Sequence, residues 1–331
     1  MSDASDAGVL YTEHIGPRAG TPIASLWSFE SCDRGGRQVV AQNADGSPEY
    51  WLDRSDPLLN TMLPGTAVSL IANFGDLWAA GRSSVASALM PRLAVVGPAT
   101  RPRLLRVGRS VRAIGAVVPA TVTQALFGAP PSAIVDRIVC LQEFWGREAS
   151  ETLMASLARS QARHAEILRD ILLARLGRVD EKNSFADEPA RIIRLRAGRV
   201  AIRDLASGHG ISREQFARRF SVSAGMLPKL FARITRFQAL VHVLLSNDVS
   251  DWAAVGAGVG FYDQAHMINE FRQFAGSSPT VFFRPHDHTI DPALVRLHGR
   301  PSEWLHRARF SSTRHRPSSQ LPERPSVRSV R

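Results

Sequence analysis

A chain of 331 residues with 41 Lys and Arg against 30 Asp and Glu, net charge +11, is long enough for about two domains and basic enough to suit a polyanion. Its two widely spaced cysteines, Cys32 and Cys140, make neither a zinc site nor a disulfide framework and fit a reducing cytoplasm. No run of 18 apolar residues offers a membrane span, and the acidic start Met1-Ser2-Asp3-Ala4-Ser5-Asp6 does not read as a signal peptide.

In chain order, residues 1–14 read as disordered. From about 15 to 125 the texture is β: short apolar runs such as Ala67-Val68-Ser69-Leu70-Ile71 and Leu93-Ala94-Val95-Val96 alternate with Gly, Pro, Asn and Asp breaks. Many short strands with frequent turn signals predict a sandwich or small barrel. The aromatics Trp27, Phe29, Tyr50, Trp51, Phe74 and Trp78 would be core there, or would line an apolar cavity for a small amphipathic effector. From about 121 the pattern turns helical, and Ser132 is placed to cap a helix. Over 147–176, Leu153, Leu157, His164, Leu168, Ile171 and Leu172 recur at helical spacing. That stripe predicts packing on its own domain, with a homodimer contact as the alternative; this β-rich regulatory or oligomerisation domain spans 15–176. Residues 177–188 are polar and aperiodic, and read as a linker. The segment 286–331 is rich in Pro, Ser and Arg and reads as a basic, mostly disordered tail.

Between linker and tail one pattern is written twice. The first copy is Leu205-Ala206, three residues, Gly210-Ile211-Ser212, then Arg218-Arg219-Phe220 and Gly225-Met226-Leu227-Pro228. The second is Val255-Gly256, three residues, Gly260-Phe261-Tyr262, then Glu270-Phe271-Arg272 and Gly276-Ser277-Ser278-Pro279. The offset is 50 residues at Gly210/Gly260 and 51 at Phe220/Phe271 and Pro228/Pro279, so the two copies are one structural unit. Each reads as a helix-turn-helix: a small residue where helices cross, a turn glycine, a polar N-cap (Ser212 or Asp263), and a second helix closed by an aromatic anchor.

These residues resemble the AraC/XylS family of bacterial transcription regulators. The carriers are Gly260-Phe261, Asp263, Phe271-Arg272 and Gly276-Ser277-Ser278-Pro279, with Pro228-Lys229-Leu230, Arg233, Arg236 and Phe237 matching the first unit's close and the linker helix. The resemblance covers roughly 190–285. It implies an α+β multidomain chain whose all-α C-terminal domain, 189–285, holds two helix-turn-helix units joined by a linker helix. Turn and core positions would be Ala206, Gly210, Phe220, Gly260, Phe261, Phe271 and Pro279. It also implies double-stranded DNA as partner, with RNA polymerase and a small-molecule effector as further candidates, and no cofactor. Two departures stand out: Gly256 where the family has alanine and Trp252 where it has isoleucine, the glycine costing about 1 kcal/mol of helix stability. Leu63-Pro64-Gly65, Val68-Ser69-Leu70-Ile71, Val96-Gly97-Pro98 with Thr100, Leu141 and Phe144-Trp145-Gly146 resemble, less specifically, an uncharacterised N-terminal domain found in part of that family.

Charge agrees. Residues 191–285 hold 13 Lys/Arg and 6 Asp/Glu, and 286–331 hold 9 and 4, whereas 1–190 hold 19 and 20. The excess is nearly all arginine, which suits phosphates and guanine edges. Reader helices are expected from Arg213 to Phe220 and from Gln264 to Phe274, separated by a linker helix from Pro228 to Leu245, roughly 27 Å long. With Phe216, Phe220, Met267 and Phe271 inward, Arg213, Glu214, Ala217 and Arg218 face the groove in the first helix, and Gln264, Ala265, His266 and Asn269 in the second. Arg218 is the expected guanine reader, Gln264 and Asn269 suit adenine, and Arg219, Lys229 and Arg272 suit phosphates.

Enzyme chemistry finds little footing. Gly256-Ala257-Gly258-Val259-Gly260 follows a helical pattern and has Phe261 where a dinucleotide loop needs glycine. His286-Asp287-His288 has no third ligand nearby, and residues 1–160 hold only His14, so no metal site is expected. Neither a Gly-x-Ser-x-Gly elbow nor a P-loop occurs. Two other classes stay open: a small-molecule-binding enzyme with an accessory DNA-binding domain, and an architectural DNA-binding protein.

Overall fold

The computed structural model describes residues 7–15, 23–33, 50–52, 59–82, 87–108, 110–177, 184–246 and 252–282. The expectations for 286–331, including His286 and His288, lie outside these residues, as do the side chains of Tyr50 and Trp51.

The N-terminal domain is two antiparallel sheets with helices on one side. Its strands are β1 (Ala7–Ile15), β2 (Ser25–Asp33), β3 (Tyr50–Leu52), β4 (Leu59–Met62), β5 (Ala67–Asn73), β6 (Ala79–Gly81), β7 (Ser87–Leu89), β8 (Leu93–Val96), β9 (Arg103–Arg106), β10 (Arg112–Pro119) and β11 (Ile138–Cys140). Seven pair in the order β11-β8-β5-β10-β2-β1-β3, and four in the order β4-β9-β6-β7. The first segment corrects the expectation of disorder over 1–14: Ala7–Ile15 pairs along β2 from Ala7 opposite Asp33 to Ile15 opposite Leu26. The nine-residue strand β2 supplies the partner that orders it.

Period-two alternation splits the large sheet's side chains between two cores. Leu26, Leu70, Val95, Ile114 and Ala116 face the helices α1 (Thr123–Phe127), α2 (Gln142–Arg159) and α3 (His164–Leu176). Trp27, Phe29, Ile71, Ala94, Val96 and Ala113 face the small sheet, against Met62, Trp78, Ala80 and Leu105. Residues 147–176 do not form one helix. The chain breaks at Ser160, whose backbone leaves the helical region, and passes through a 3-10 turn, Gln161–Arg163, before α3 begins. Leu153, Leu157, Leu168 and Leu172 are thereby all buried in their own domain's core, as the intradomain reading expects and the dimer alternative does not. Nor does Ser132 cap an α-helix; it lies in the 3-10 turn Pro131–Ala133, which leads into β11.

The C-terminal domain is all α: α4 (Asp187–Leu195), α5 (Ile202–Gly208), α6 (Arg213–Ala224), α7 (Pro228–Ser246), α8 (Trp252–Val259), α9 (Gln264–Ala275) and α10 (Pro279–Phe282). Its core reaches back into the expected linker. Ala186 is fully buried with it and Phe185 packs against it, so an aperiodic polar stretch conceals two packed residues. Leu63 from the N-terminal domain is buried in the same cluster.

Candidate nucleic-acid interface

The two units are built alike from the residues up. α5–α6 and α8–α9 each turn at a glycine with left-handed backbone, Gly210 (φ 66°) and Gly260 (φ 98°), a conformation that a Cβ opposes. Each second helix opens on a side-chain cap. The Ser212 hydroxyl accepts from the Gln215 backbone N–H at 3.1 Å, and the Asp263 carboxylate accepts from that of His266 at 2.6 Å. Each closes on a left-handed glycine, Gly225 (φ 81°) or Gly276 (φ 83°), and Pro228 or Pro279 starts the next helix. The Gly256-rich run lies on α8 and the turn after it, where no phosphate loop can form.

Between the units, α7 runs 19 residues from Pro228 to Ser246, about 28 Å at 1.5 Å per residue. Phe231 meets Phe220 edge-on at 5.4 Å between ring centroids, and Phe237 meets Phe271 at 5.4 Å and Phe274 at 5.3 Å. One helix therefore serves as the hydrophobic floor of both units. It also carries their polar ties. The Arg233 guanidinium pairs with the buried Glu270 carboxylate and donates to Gln273 on α9. Arg236 donates to the Gly198 carbonyl at 3.2 Å and lies over the Phe261 ring. Burial pulls Arg236 below its ordinary range, Glu270 opposes that shift, and Arg233 and Arg199 reinforce it. Sequence matching singles out Arg233 and Arg236 without a partner. The missing signal is Glu270, which stands directly before the anchor Phe271 and turns inward with it.

The inward anchors are where the helix phase puts them: Phe216, Phe220, Met267 and Phe271 are fully buried. Arg213, Glu214, Arg218, Gln264, Ala265 and Asn269 are exposed, so the Gln264 helix lies open and not beneath other protein. Ala217 and His266 are half-buried. Arg213 and Glu214 approach one another at 3.7 Å across the first turn of α6. His266 is engaged by its own chain: its Nδ1 accepts from the Tyr262 backbone N–H at 3.4 Å, and its ring packs edge-on against Phe261. Of the three expected phosphate contacts, Lys229 and Arg272 are exposed, and exposed Arg219 sits over the Phe185 ring.

The N-terminal domain touches the first unit at its far end. A Cβ on Gly225 would come within 2.9 Å of Val135 and 3.0 Å of Pro131, so the C-terminus of α6 rests on the turn before β11. Behind that contact, Asp136 accepts from the Thr100 backbone N–H at 2.7 Å and from its hydroxyl, which ties the two supporting loops together. The opposite end of α6 bears Arg213 and Glu214, and Arg218 lies midway along the helix. In the N-terminal domain itself, Trp27 and Trp78 are buried with both indole N–H groups unpartnered, flanking Phe29 at 5.0 and 6.5 Å. Phe74 lies on the other face of the sheet, under the Arg112 guanidinium.

Among the described residues, no group of His, Cys, Asp and Glu could hold a metal, and no helix is long and apolar enough to cross a membrane. Among curated proteins there is no match. Solved structures give low-identity likenesses. ToxT from Vibrio cholerae O395 is 7% identical, with 69% of this chain and 92% of that chain covered and a TM-score of 0.41. The same protein bound to (E)-4-(8-methylnaphthalen-1-yl)but-3-enoic acid is 8% identical, with 69% and 95% covered and a TM-score of 0.41. Wild-type ToxT from Vibrio cholerae strain SCE256 with unsaturated fatty acid bound is 7% identical, with 68% and 93% covered and a TM-score of 0.34. Residues 205–285 match the family model of a helix-turn-helix domain, and they enclose both copies of the repeated unit. With two capped units on one linker helix inside that match, residues 205–285 of this chain form a helix-turn-helix domain.

Proposed function

We propose that α6 and α9 enter successive major grooves on one face of B-DNA, so that a single chain reads an asymmetric site of two half-sites about one helical turn, roughly 34 Å, apart. The observation that carries this reading is that both reader helices are exposed along one side and anchored along the other by aromatics on a single helix. Arg218 reads guanine in the first half-site, with Arg213 and Glu214 beside it. Gln264 and Asn269 read adenine in the second, with His266 at its edge. Arg219, Lys229 and Arg272 hold phosphates. Selection of bound sequences from a random DNA pool tests the proposal. It should return two conserved blocks with centres about one turn apart and no internal palindrome. A single block, or no enrichment over random DNA, overturns it, and the latter would favour an architectural role.

The chain is thereby a DNA-binding transcription regulator, as its resemblance to the AraC/XylS family implies, and the N-terminal domain serves as its effector-sensing part. Two buried indole donors without acceptors support this, because such groups are ordinarily satisfied and an acceptor-bearing amphipathic ligand would satisfy them. Tryptophan emission titrated with fractionated metabolites checks the idea. A saturable shift that Trp78→Phe diminishes supports it, and an unresponsive emission across fractions removes it.

A further inference from the structure

The two units differ by one residue at the tip. Between turn glycine and N-cap, the first unit has only Ile211, whereas the second has Phe261 and Tyr262. That insertion is why the offset between copies steps from 50 to 51. Ile211 and Phe261 do the same work, each packing onto the C-terminal core. The additional residue, Tyr262, does not pack. It is 92% exposed, and its ring and hydroxyl make no hydrogen bond or ring contact among the described residues.

Its backbone, by contrast, has a partner. The Tyr262 N–H donates to His266 Nδ1 at 3.4 Å, while the His266 N–H donates to the Asp263 carboxylate at 2.6 Å. This is a reciprocal brace of the capping-box kind, shifted by one residue to suit the longer turn. Accepting at Nδ1 leaves the imidazole proton on Nε2, which turns toward Glu270 at 3.9 Å. Glu270 is in turn paired with Arg233 on the linker helix. Phe261 closes one face of the ring at 5.5 Å between centroids. A polar line thus runs from the linker helix through Glu270 and His266 to the backbone of an unsupported tyrosine at the entrance of α9.

We propose that Tyr262 is a DNA-contacting residue of the second reader, its hydroxyl donating to a backbone phosphate beside the second half-site and its ring lying against the adjoining sugar, and that His266 positions it. This rests on the two-groove reading above. A neutral donor at the tip of a reader helix fixes depth and register in the groove without reading sequence, which is the role of phosphate and sugar contacts. With its Nδ1 accepting from the Tyr262 N–H, His266 does not present that nitrogen to a base edge, and the DNA contact of this turn falls to Tyr262, one turn back.

The experiment uses the full chain on its selected bipartite site, with hydroxyl-radical footprinting and affinities at two salt concentrations. Tyr262→Phe should weaken binding roughly 3- to 10-fold for all second-half-site sequences alike, with an unchanged salt slope, since no charge is removed. The footprint should open at one or two sugars flanking the second half-site only. Replacing the facing phosphate by methylphosphonate should weaken the wild type but leave Tyr262→Phe unaffected. His266→Ala should mimic Tyr262→Ala, and His266→Gln, whose side-chain oxygen can accept from the same N–H, should restore most of the affinity. Melting temperatures of the tyrosine variants should equal the wild type's, because the side chain touches nothing. Wild-type affinity and footprint in Tyr262→Phe and Tyr262→Ala overturn the proposal while leaving the two-groove reading intact. Relaxed base preference in His266→Ala that His266→Gln does not restore also overturns it, by returning the reader's role to the histidine. A wild-type chain that protects no second half-site overturns both.

Discussion

The two helix-turn-helix units share caps, turn glycines and terminal prolines, yet they are held by different forces. The first is an apolar stack in which Phe185, Phe216, Phe220 and Phe231 follow ring on ring, and its far end rests on the N-terminal domain at Pro131 and Val135. The second has Phe237, Phe271, Phe274 and Phe282 below, but adds a buried carboxylate, Glu270, tied to Arg233. Its first helix is α8, with three small residues, Gly256, Ala257 and Gly258, in its last turn, where the first unit has Ala206, Ser207 and Gly208. Apolar packing is tolerant of direction, whereas an ion pair to a buried carboxylate is not. The first unit is thereby fixed to the body of the protein, and the second is set by a directional contact to the linker helix.

The largest effects should come from removing what is common to both. Phe220→Ala and Phe271→Ala each delete a fully buried ring and should cost about 3–5 kcal/mol in urea unfolding. The units should then part company at the next level. Arg233→Ala leaves the Glu270 carboxylate buried without its partner and should cost about 3 kcal/mol, the lower end for breaking a buried pair because Arg233 is itself about 29% exposed. The loss should fall on the second unit. Footprinting should show the second half-site released while the first stays protected, and equal loss at both would remove the distinction drawn between them.

Much of this was legible in the residues, for reasons that particular positions make clear. The doubled spacing exposes both units because turns, caps and anchors recur at fixed distances, and helix phase places Phe216 and Met267 inward and Arg218 and Asn269 outward from spacing alone. What escaped depends on long-range contact. Glu270 looks like a surface acid until α7 supplies Arg233, and no local pattern shows that the His266 ring accepts from the Tyr262 backbone N–H. Ser160 and His164 interrupt the apolar stripe, but the leucines keep their period on both sides, so the interruption does not read as a break until α3 packs onto the sheet. Ala7–Ile15 became a strand because β2 offers a long partner, which no local window reveals.

On DNA the contrast moves from stability to readout. Arg218→Ala in the first unit should weaken binding by about 1–3 kcal/mol at the preferred site and flatten sequence preference at one position. Gel-shift competition with single-base variants measures both, and uniform weakening of all sequences would make Arg218 a phosphate contact. Arg272→Ala at the end of the second reader should instead lower affinity evenly and reduce the slope of log K against log salt by about one. A footprint that loses a single base position would contradict that role.

The smallest expected effect addresses the glycine that distinguishes α8. Helix propensity alone makes Gly256→Ala stabilising by about 1 kcal/mol. A Cβ there, however, would stand 2.9 Å from the Met267 sulfur, where α8 crosses α9. The first unit solves the same crossing with Ala206 against a phenylalanine core, so an alanine is compatible with the turn itself. The contact lies at the far part of an unbranched, adaptable side chain, so Met267 can shift by a few tenths of an ångström without moving the backbone of α9. The variant should therefore retain most of the propensity gain in thermal unfolding and leave both half-site footprints unchanged. Destabilisation would mean that Met267 is locked and that glycine is required by close packing. Stabilisation with a lost second half-site would mean that a slack α8 is needed for the second reader to seat on DNA.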